Sequence, residues 1–369
     1  MSSSKVFFCD FSTDMRESVL DKLLRLIQKA GIDDIDFSRK YVAVKAHFSE
    51  VGNVAYLRHN YVRSVVHYIK ERGGRPFVTD CSTLYPGMRS NALDHLDDAY
   101  AQGYNPLSLE CQVIIADGLL GLDEMLVPIE GEYVRAARIG SAIMQADIVV
   151  SLNHFKGHEA SGFGGALKNL GMGCGSRAGK MDMHNAGKPD INAEVCIMCG
   201  RCIASCAQNA IKADDGGAAV IDQAACAGCG RCIGQCPVDA IVPTVENSTE
   251  MLARRIGEYA AAVVKGRPHF HVNFVLDVSP RCDCYAMNEI GIVPDIGIFA
   301  SFDPVALDQA CADAVNAAPP TPGSWLAKHH DRNPHDHFRA VHPDVCWEAA
   351  LEQAEKMGIG TRAYEIVNL

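Results

Sequence analysis

Apolar positions along the first 150 residues follow two different periods. Short apolar runs at residues 6–9, 41–48 and 75–80 predict β-strands, because each is of strand length and rich in β-branched or aromatic side chains. Between these runs, apolar residues recur at helical spacing over 19–27 and 56–72. Strands that alternate with helices in this way are typical of an α/β fold with a largely parallel sheet.

The same alternation continues through the rest of the chain. Further strands are predicted at 113–116, 147–152, 271–278 and 292–300, and further helices at 247–264 and 343–357. Asp14 with Glu17 is expected to cap the first helix, and Asn247 with Glu250 is expected to cap the helix that starts there.

Cysteine is the most unusual feature of the composition, with 16 in 369 residues. Eight of them form two runs of the pattern C-x2-C-x2-C-x3-C, namely Cys196, Cys199, Cys202 and Cys206, then Cys226, Cys229, Cys232 and Cys236. The two runs superpose at an offset of 30 residues, which indicates an internal duplication. This is the spacing of the two-cluster bacterial ferredoxins.

We therefore expect two [4Fe-4S] clusters. In two-cluster ferredoxins the fourth thiolate comes from the other run. One cluster is accordingly assigned to the first three cysteines of the first run with Cys236, and the other to the first three of the second run with Cys206. Two structural zinc sites are the alternative, but a third cysteine at x2 and a fourth at x3 are not needed for the paired Cys-x2-Cys units that bind tetrahedral zinc. The first run departs from the pattern at Ala207, where the second has Pro237.

The cysteine runs divide the chain into three parts. Residues 1–190 and 244–369 are predicted to form one α/β domain, and 191–243 an inserted α+β two-cluster ferredoxin-like module. The scattered cysteines that are expected to be buried fillers are Cys9, Cys81, Cys111, Cys311 and Cys346.

Charge and hydropathy exclude several classes of function. A net charge of -11 would repel the phosphate backbone, so nucleic-acid binding is not expected. The sequence has no apolar run of about 18 residues and no secretory signal pattern, so we expect no membrane span. Abundant free thiols suit a reducing compartment, which predicts a cytoplasmic protein.

One candidate site follows the strand predicted at 147–152. His154, Lys156 and His158 would all point the same way in an extended chain, whereas in a helix the two histidines would share a face suited to a metal ion. The carboxyl ends of strands in open α/β sheets are where ligands bind. We expect catalytic roles for the histidines and a cofactor contact for Lys156, with a plain polar loop as the alternative.

A glycine-dense segment follows at residues 162–175. A loop of this composition lets backbone amides approach an anion such as a cofactor phosphate. Neither a Walker A motif nor a dinucleotide fingerprint is present, so no nucleotide class is implied. The expected cofactor contacts are Gly164, Gly165, Asn169, Gly173 and Gly175. Lys168 is a candidate catalytic residue, with a surface salt bridge as the alternative.

A pair of cysteines, Cys282 and Cys284, lies just after the strand predicted at 271–278. Thiols one residue apart close a disulfide only with strain, but both can reach a metal or a partner thiol. We expect a catalytic role for them, with a buried structural pair as the alternative. Asp303 before Pro304 predicts a helix start, which leaves Asp308 as a polar group facing the site.

A second group of histidines invites a metal-site interpretation. Its members are His329, His330, His335, His337 and His342. Their spacing is irregular and turn-forming residues interleave with them, so a solvated loop is predicted instead.

Several short motifs occur together in a combination typical of one family. They are Lys45-Ala-His47 with Gly52-Asn53, the 154–158 loop, Lys168-Asn-Leu-Gly171, the double cysteine run, Cys282-Asp-Cys284 and Val293-Pro-Asp-Ile-Gly297 with Asp303-Pro304 and Asp308. Over most of its length the chain thus resembles a DUF362 family protein that carries a ferredoxin insertion. The resemblance implies an iron–sulfur redox protein and names no substrate.

The leading hypothesis is an oxidoreductase that passes single electrons through the two clusters to a site in the α/β body. A flavin is the natural organic cofactor for such a site, because it mediates between one-electron and two-electron chemistry. The expected partner is a soluble electron donor or acceptor protein, and the small-molecule substrate is unknown. The alternatives are an electron carrier without a catalytic site of its own, and a metal-handling or maturation factor.

Overall fold

The computed structural model describes residues 3–85, 87–184, 188–214, 216–243 and 249–369. Its strands are β1 Ser4–Cys9, β2 Tyr41–Lys45, β3 Arg75–Asp80, β4 Gln112–Ile115, β5 Glu124–Pro128, β6 Ala136–Gly140, β7 Ile148–His154, β8 Lys156–His158, β9 Gly162–Gly164, β10 Pro189–Ile191, β11 Ile211–Ala213, β12 Ala219–Ile221, β13 Ile241–Pro243, β14 His269–Val275, β15 Gly297–Ser301 and β16 Tyr364–Asn368.

The α-helices lie between these strands and mostly on the two faces of the main sheet. They are α1 Val19–Lys29, α2 His59–Glu71, α3 Ala92–Ala101, α4 Pro106–Leu109, α5 Ser141–Gln145, α6 Ala166–Cys174, α7 Arg177–His184, α8 Arg201–Ser205, α9 Thr249–Val264, α10 Pro304–Ala317, α11 Trp325–His329, α12 His337–Val341 and α13 Glu348–Lys356. In the described part of the chain, no helix combines the length and apolar character needed to cross a bilayer.

Eight strands form one sheet in the order β16-β1-β15-β14-β7-β2-β3-β4. Every neighbouring pair is parallel except the two pairs made by β15, which runs antiparallel to β14 and to β1. The predicted α/β fold with a largely parallel sheet is therefore confirmed. The central strand β7 is buried along its whole length, as a parallel strand covered on both faces must be.

Alternating side chains of the sheet pack into two separate apolar layers. In β2, Val42 and Val44 pack on one face with α1 and α2, whereas Ala43 packs on the other face with α6, α9, α10 and α13. Successive strand residues point to opposite faces, so both faces require apolar residues. This explains why the strands appear in the sequence as short continuous apolar runs.

The predicted elements of the body are present, most with their ends shifted by a few residues. The predicted cap of α1 is wrong: Ser18 accepts from the backbone N–H of Asp21, and Asp21 returns a bond to the backbone of Ser18. Asp14 and Glu17 instead form an isolated β-bridge. Asn247, the other predicted cap, lies outside the described residues.

Three parts of the chain differ from the sequence prediction. The segment expected to be a glycine-rich loop is β9 followed by α6. The segment 325–342, expected to be a solvated loop, contains α11 and α12, and His337 is buried with its Nε2 2.9 Å from the oxygen of Ala318. The chain also continues after α13 into β16, an edge strand that pairs in parallel with β1.

The cysteine-rich segment forms two small antiparallel ladders, β10 with β13 and β11 with β12. An offset of 30 residues carries β10 onto β12 and β11 onto β13. Left-handed backbone conformations repeat at the same offset, with Met198 matching Gly228, Gly200 matching Gly230 and Asn209 matching Asp239. The duplication in the sequence is thus also a duplication in the backbone.

Asp308 closes the start of α6 rather than facing a ligand. Its carboxylate oxygens accept the backbone N–H of Ala166 at 2.7 Å and of Leu167 at 2.9 Å, and its Oδ1 also accepts from Asn273 Nδ2 at 2.7 Å. A carboxylate at a helix N-terminus satisfies donors that have no partner within the helix. These two amides are consequently already occupied by protein.

We expect Asp308→Ala to lower the free energy of unfolding by roughly 3 kcal/mol, because it leaves several buried donors without an acceptor. Asp308→Asn keeps one acceptor oxygen and should cost less. The urea midpoint of each variant measures the effect. Asp313→Ala, on the exposed side of the same helix, is the matched control and should shift it by less than about 1 kcal/mol. Equal shifts for Asp308→Ala and Asp313→Ala would contradict this role.

His95 of α3 is fully buried. Its ring centre lies 5.5 Å from that of Phe48, and neither ring nitrogen has a hydrogen-bond partner among the described residues. Burial lowers the pKa of His95 to about 3. The unfolded chain therefore takes up a proton at this histidine below about pH 6.5, whereas the folded chain does not until about pH 3.

Stability should accordingly fall as the pH is lowered from about 6.5 towards 4, and His95 should account for a slope of up to about 1.4 kcal/mol per pH unit. His95→Phe removes this contribution, so its urea midpoint should depend less on pH in that window. The exposed His335→Phe serves as the control and should keep the wild-type slope. An unchanged slope in His95→Phe would show that His95 is not the acid-sensitive group.

Candidate functional site

A cavity of about 390 Å³ opens where the carboxyl ends of β2, β3 and β7 meet. Lys45, Asp80 and His154 are the last residues of these three strands, and all three line the cavity. Parallel strands bring their carboxyl ends to one edge of a sheet, where ligands of open α/β proteins bind. The topology alone thus brings polar groups from distant parts of the chain into one place.

Most of the residues proposed from the sequence line this cavity. Those on its wall are His154, Lys156, His158, Gly164, Gly165, Lys168, Asn169, Gly173 and Cys284. Cys282 lies directly behind the wall, with its Sγ 3.8 Å from Lys168 Nζ. Gly175 is not at the cavity: its N–H bonds the oxygen of Gly171 at the end of α6.

A buried ion pair crosses the floor of the cavity. Lys45 is fully buried, and its Nζ lies 2.9 Å from Asp80 Oδ1 and 2.6 Å from Asn169 Oδ1. The other oxygen of Asp80 lies 3.0 Å from His47 Nδ1. Burial would raise the pKa of Asp80, but the charge of Lys45 and the contact with His47 hold it well below its usual range. Asp80 is therefore an anion that orients both neighbours.

Asp283 is the second buried carboxylate of the site. Its Oδ1 lies 2.9 Å from Lys156 Nζ and 3.6 Å from His47 Nε2, and its Oδ2 lies 2.9 Å from His154 Nδ1. Burial opposes the charge, but Lys156 and His47 together with His154 hold the pKa of Asp283 well below its usual range. Burial would lower the pKa of Lys156, yet Asp283 raises it above the usual value for lysine.

The two cysteines beside Asp283 differ in their ionisation. Burial would raise the pKa of Cys282, but a hydrogen bond from Cys284 and the charges of Lys168 and Lys156 hold it well below its usual value. The same hydrogen bond, with burial, raises the pKa of Cys284. The backbone N–H of Cys284 also points at Cys282 Sγ, at 3.3 Å. Cys282 is thus the thiolate of the pair and Cys284 the thiol.

The rest of the cavity wall is mixed, with cationic and aromatic side chains beside Glu159 and several aliphatic residues. Arg89 is held by Glu50, with Nε 2.9 Å from Oε2. Lys180 Nζ donates to the oxygen of Gly175 at 2.6 Å. Among the described residues, neither Lys168 nor Lys180 has a carboxylate within ion-pair distance.

Tyr85 and His184 form a neutral pair on the same wall, with the phenol oxygen 3.4 Å from the imidazole Nε2. Burial raises the pKa of Tyr85 to about 12. Burial also lowers the pKa of His184 to about 4, and the nearby ammonium groups of Lys168 and Lys180 act in the same direction. Both side chains are therefore uncharged near neutral pH, and the proton between them stays on Tyr85 Oη.

The cysteine-rich segment groups the proposed cluster ligands as the spacing predicts for one set of four. A small separate cavity is lined by Cys196, Cys199, Cys202 and Cys236. Cys206 and Cys236, the fourth cysteines of the two runs, each accept a backbone N–H from four residues later, at 3.3 and 3.2 Å. Turned backbone, converging sulfurs and N–H groups aimed at sulfur fit an iron–sulfur cluster.

The cysteine-rich segment and the larger cavity share a wall. Leu84 is 1% exposed and packs in the apolar cluster that contains Cys202 and Cys232, and it also lines the cavity. Arg177 crosses the same boundary: a Cβ at Gly230 would lie 2.9 Å from its side chain. The site and the cysteine-rich segment are therefore in direct contact.

Comparison with known proteins identifies the family. A family model described as "Domain of unknown function (DUF362)" matches residues 42–313. The chain belongs to the DUF362 family. The matched range of this DUF362 protein includes both cysteine runs and every residue of the cavity network described above. No curated protein matches the chain.

Two solved structures are similar to this DUF362 protein in fold. One is a Thermotoga maritima protein from a structural genomics consortium, with 13% identity over 72% of this chain and 52% of that chain, at a TM-score of 0.39. The other is the lactate racemase apoprotein from Thermoanaerobacterium thermosaccharolyticum, with 12% identity over 74% and 51%, at a TM-score of 0.39. The chain spans about half of the length of each.

Several site residues of this DUF362 protein are absent from the sequence-based candidates. They are Lys45, His47, Asp80, Arg89, Lys180 and Asp283. Asp80 ends a predicted strand, so the rule that ligands bind at carboxyl ends of parallel strands gave a usable signal for it, whereas Lys45 lies inside the strand predicted at 41–48 and ends only the observed one. Asp283 lies between Cys282 and Cys284, and it was not proposed because the interpretation of this segment considered only the two thiols.

The buried Lys45–Asp80 pair gives a direct test of the site's electrostatics. We expect Lys45→Met to lower the free energy of unfolding by about 3 to 5 kcal/mol, since it leaves the buried carboxylate of Asp80 without its cationic partner. Lys40→Met breaks the exposed pair of Lys40 with Asp147 just before the same strand and should cost less than about 1 kcal/mol. Urea midpoints measure both. Similar small losses in the two variants would mean that the Lys45–Asp80 charges are solvated.

Proposed function

We propose that this DUF362 protein is an iron–sulfur oxidoreductase that exchanges single electrons with a small molecule bound in the 390 Å³ cavity. The observation that carries the proposal is the shared wall at Leu84. One buried side chain there touches both the cysteine-rich segment and the cavity. An electron carrier without a site of its own would not need a cavity lined by lysine and histidine side chains at that boundary.

Two sets of cysteines would hold the redox groups. The first set is Cys196, Cys199, Cys202 and Cys236, and the second is Cys226, Cys229, Cys232 and Cys206. When bound, [4Fe-4S] clusters supply one-electron chemistry. Cys199 and Cys229 are exposed. We propose that a soluble electron donor or acceptor protein docks on this side, because electron transfer favours a short path.

The cavity side chains favour an anionic substrate. Lys168 and Lys180 present ammonium groups that no carboxylate of the described chain neutralises, and Arg89 adds a third cation behind them. Tyr85 Oη carries a proton, and a substrate that accepts electrons in the cavity would also need to take up a proton. We therefore propose a small carboxylate or phosphate ester as the substrate class. Whether a flavin also binds here is tested by assaying released cofactor after anaerobic purification.

The cluster assignment predicts that Cys199→Ser removes about half of the iron and sulfide per chain, because it takes one ligand from one of two clusters. Iron and sulfide are quantified on protein purified without oxygen. Cys346→Ser, a cysteine outside both runs, is the control and should keep the full content. Unchanged iron in Cys199→Ser would refute the two-cluster assignment.

The substrate class is tested by anaerobic reoxidation. The protein is reduced with dithionite, and recovery of the iron–sulfur absorbance is followed after adding small oxo-acids, unsaturated carboxylates or their phosphate esters. If one of them reoxidises the wild type, Lys168→Met should raise its half-saturating concentration at least tenfold at unchanged iron content. Lys328→Met, an exposed lysine elsewhere, should leave that concentration unchanged. Equal concentrations in both variants would exclude Lys168 from substrate binding.

A further inference from the structure

We propose that the cavity also contains a site for one divalent transition-metal ion, with His47 Nε2, Cys282 Sγ and a carboxylate oxygen of Asp283 as its protein ligands. These atoms all lie within 4.8 Å of one another. Asp283 Oδ1 lies 3.6 Å from His47 Nε2 and 3.7 Å from Cys282 Sγ. Ligands about 2.0 to 2.3 Å from a tetrahedral ion lie roughly 3.3 to 3.8 Å from each other, so the site needs little rearrangement.

The hydrogen bonding of His47 leaves its Nε2 free to act as a ligand. Its Nδ1 faces the Asp80 carboxylate at 3.0 Å, which places a ring proton on Nδ1, and its Nε2 faces Asp283, where a bound metal ion would take the place of a second proton. His47 Nε2 is buried and has no hydrogen-bond partner among the described residues. A buried acceptor without a partner is costly. A carboxylate behind a histidine is also the usual outer-shell arrangement of metal sites.

The ring nitrogens of the neighbouring histidines, His154 and His158, form other hydrogen bonds. His158 Nδ1 accepts the backbone N–H groups of Ala160 and Ser161, both at 3.1 Å, so the proton of neutral His158 is on Nε2. Both nitrogens of His154 face acceptors, Asp283 at 2.9 Å and the oxygen of Leu276 at 2.8 Å. Of these three histidines, only His47 has a ring nitrogen near Asp283 without a hydrogen-bond partner among the described residues.

Asp283 is held in place as firmly as His47. Lys156 and His154 occupy one direction at each of its oxygens. A carboxylate has about four acceptor positions, so a position towards the metal remains. These contacts would orient Asp283 as Asp80 orients His47.

The ammonium group of Lys168 occupies the space beside Cys282. Lys168 Nζ lies 3.8 Å from Cys282 Sγ, and Lys168 is only partly buried, so its side chain can move away when an ion binds. An ammonium group already lies beside this sulfur, and a metal ion would replace it. Nitrogen, sulfur and oxygen donors together favour zinc, iron(II), cobalt or nickel over calcium and magnesium.

Three protein ligands leave a further position open to Cys284, water or a substrate oxygen. The proposal rests on the cavity residues alone. It would hold even if the cysteine runs carried no clusters, so its failure and that of the proposed function can be told apart.

The test uses the protein purified without oxygen, loaded with zinc and freed of excess metal. We expect about one zinc per chain at unchanged iron content. X-ray absorption at the zinc edge should show sulfur at about 2.3 Å and nitrogen or oxygen at about 2.0 to 2.2 Å. Zinc bound by nitrogen and oxygen alone would overturn the proposal, as would the absence of any retained zinc.

Substitutions of the proposed ligands test where the ion binds. Cys282→Ser and His47→Gln should each weaken zinc binding at least tenfold, and Lys168→Met should bind zinc as tightly as the wild type or more tightly, because the competing ammonium is gone. Cys346→Ser and His329→Gln are matched controls and should keep zinc. Thermal unfolding and iron content check that each variant is folded.

Two further results would overturn the site. One is retention of zinc in both Cys282→Ser and His47→Gln. The other is loss of zinc in Cys199→Ser, because the ion would then sit among the cluster cysteines. If His47→Gln does not fold, Asp80→Asn replaces it: weakening the group behind His47 should lower zinc affinity about 10- to 100-fold.

Discussion

The charge of Asp283 has no access to water, and the arrangement of the site depends on how that charge is compensated. Its partners come from two separate parts of the chain: one is His47 after β2, and the other holds His154 and Lys156, where β7 is followed by β8. A buried carboxylate without such partners would cost several kcal/mol, so these segments are tied together. The loop that carries Cys282 and Cys284 is fixed by the same contacts.

The positions of these partners follow from the sheet. β2 and β7 are neighbouring parallel strands, so their final residues emerge side by side. Apolar residues on both faces of each strand leave the carboxyl edge as the place where a strand can end in polar groups. Lys45 and His154 are therefore buried because the strands that carry them are buried. The charge of Lys45 is tolerated because Asp80 lies at the end of the neighbouring strand, and His154 has Asp283 as a hydrogen-bond partner.

The strand and helix pattern of the body could be predicted because one-dimensional periodicity reflects the two apolar layers directly. The cysteine grouping could be predicted because the spacing encodes the connectivity. Pairs of residues made by folding are different: the contact of His47 with Asp283 joins segments more than 200 residues apart. Ser18 was missed as the cap because Asp14 offered an equally plausible signal, and only the path of the chain decides between them.

The glycines at 162–175 illustrate a limit of composition as a guide. They suggested a backbone open to an anion, yet α6 is a regular helix whose first amides are occupied by Asp308. Small residues serve there for close approach instead: a Cβ at Gly171 would lie 2.3 Å from the oxygen of Ile256 on α9. Glycine content indicates that something comes near the backbone, and in this case it is another helix.

The pairing of β10 with β13 brings residues 189 and 243, at the two ends of the cysteine-rich segment, opposite each other in register. For the remainder of the fold, the whole segment therefore behaves as a short connection between neighbouring points. Closing such a connection adds little conformational entropy cost however many residues it contains. A change in the length of the cysteine-rich segment should consequently cost the sheet little stability.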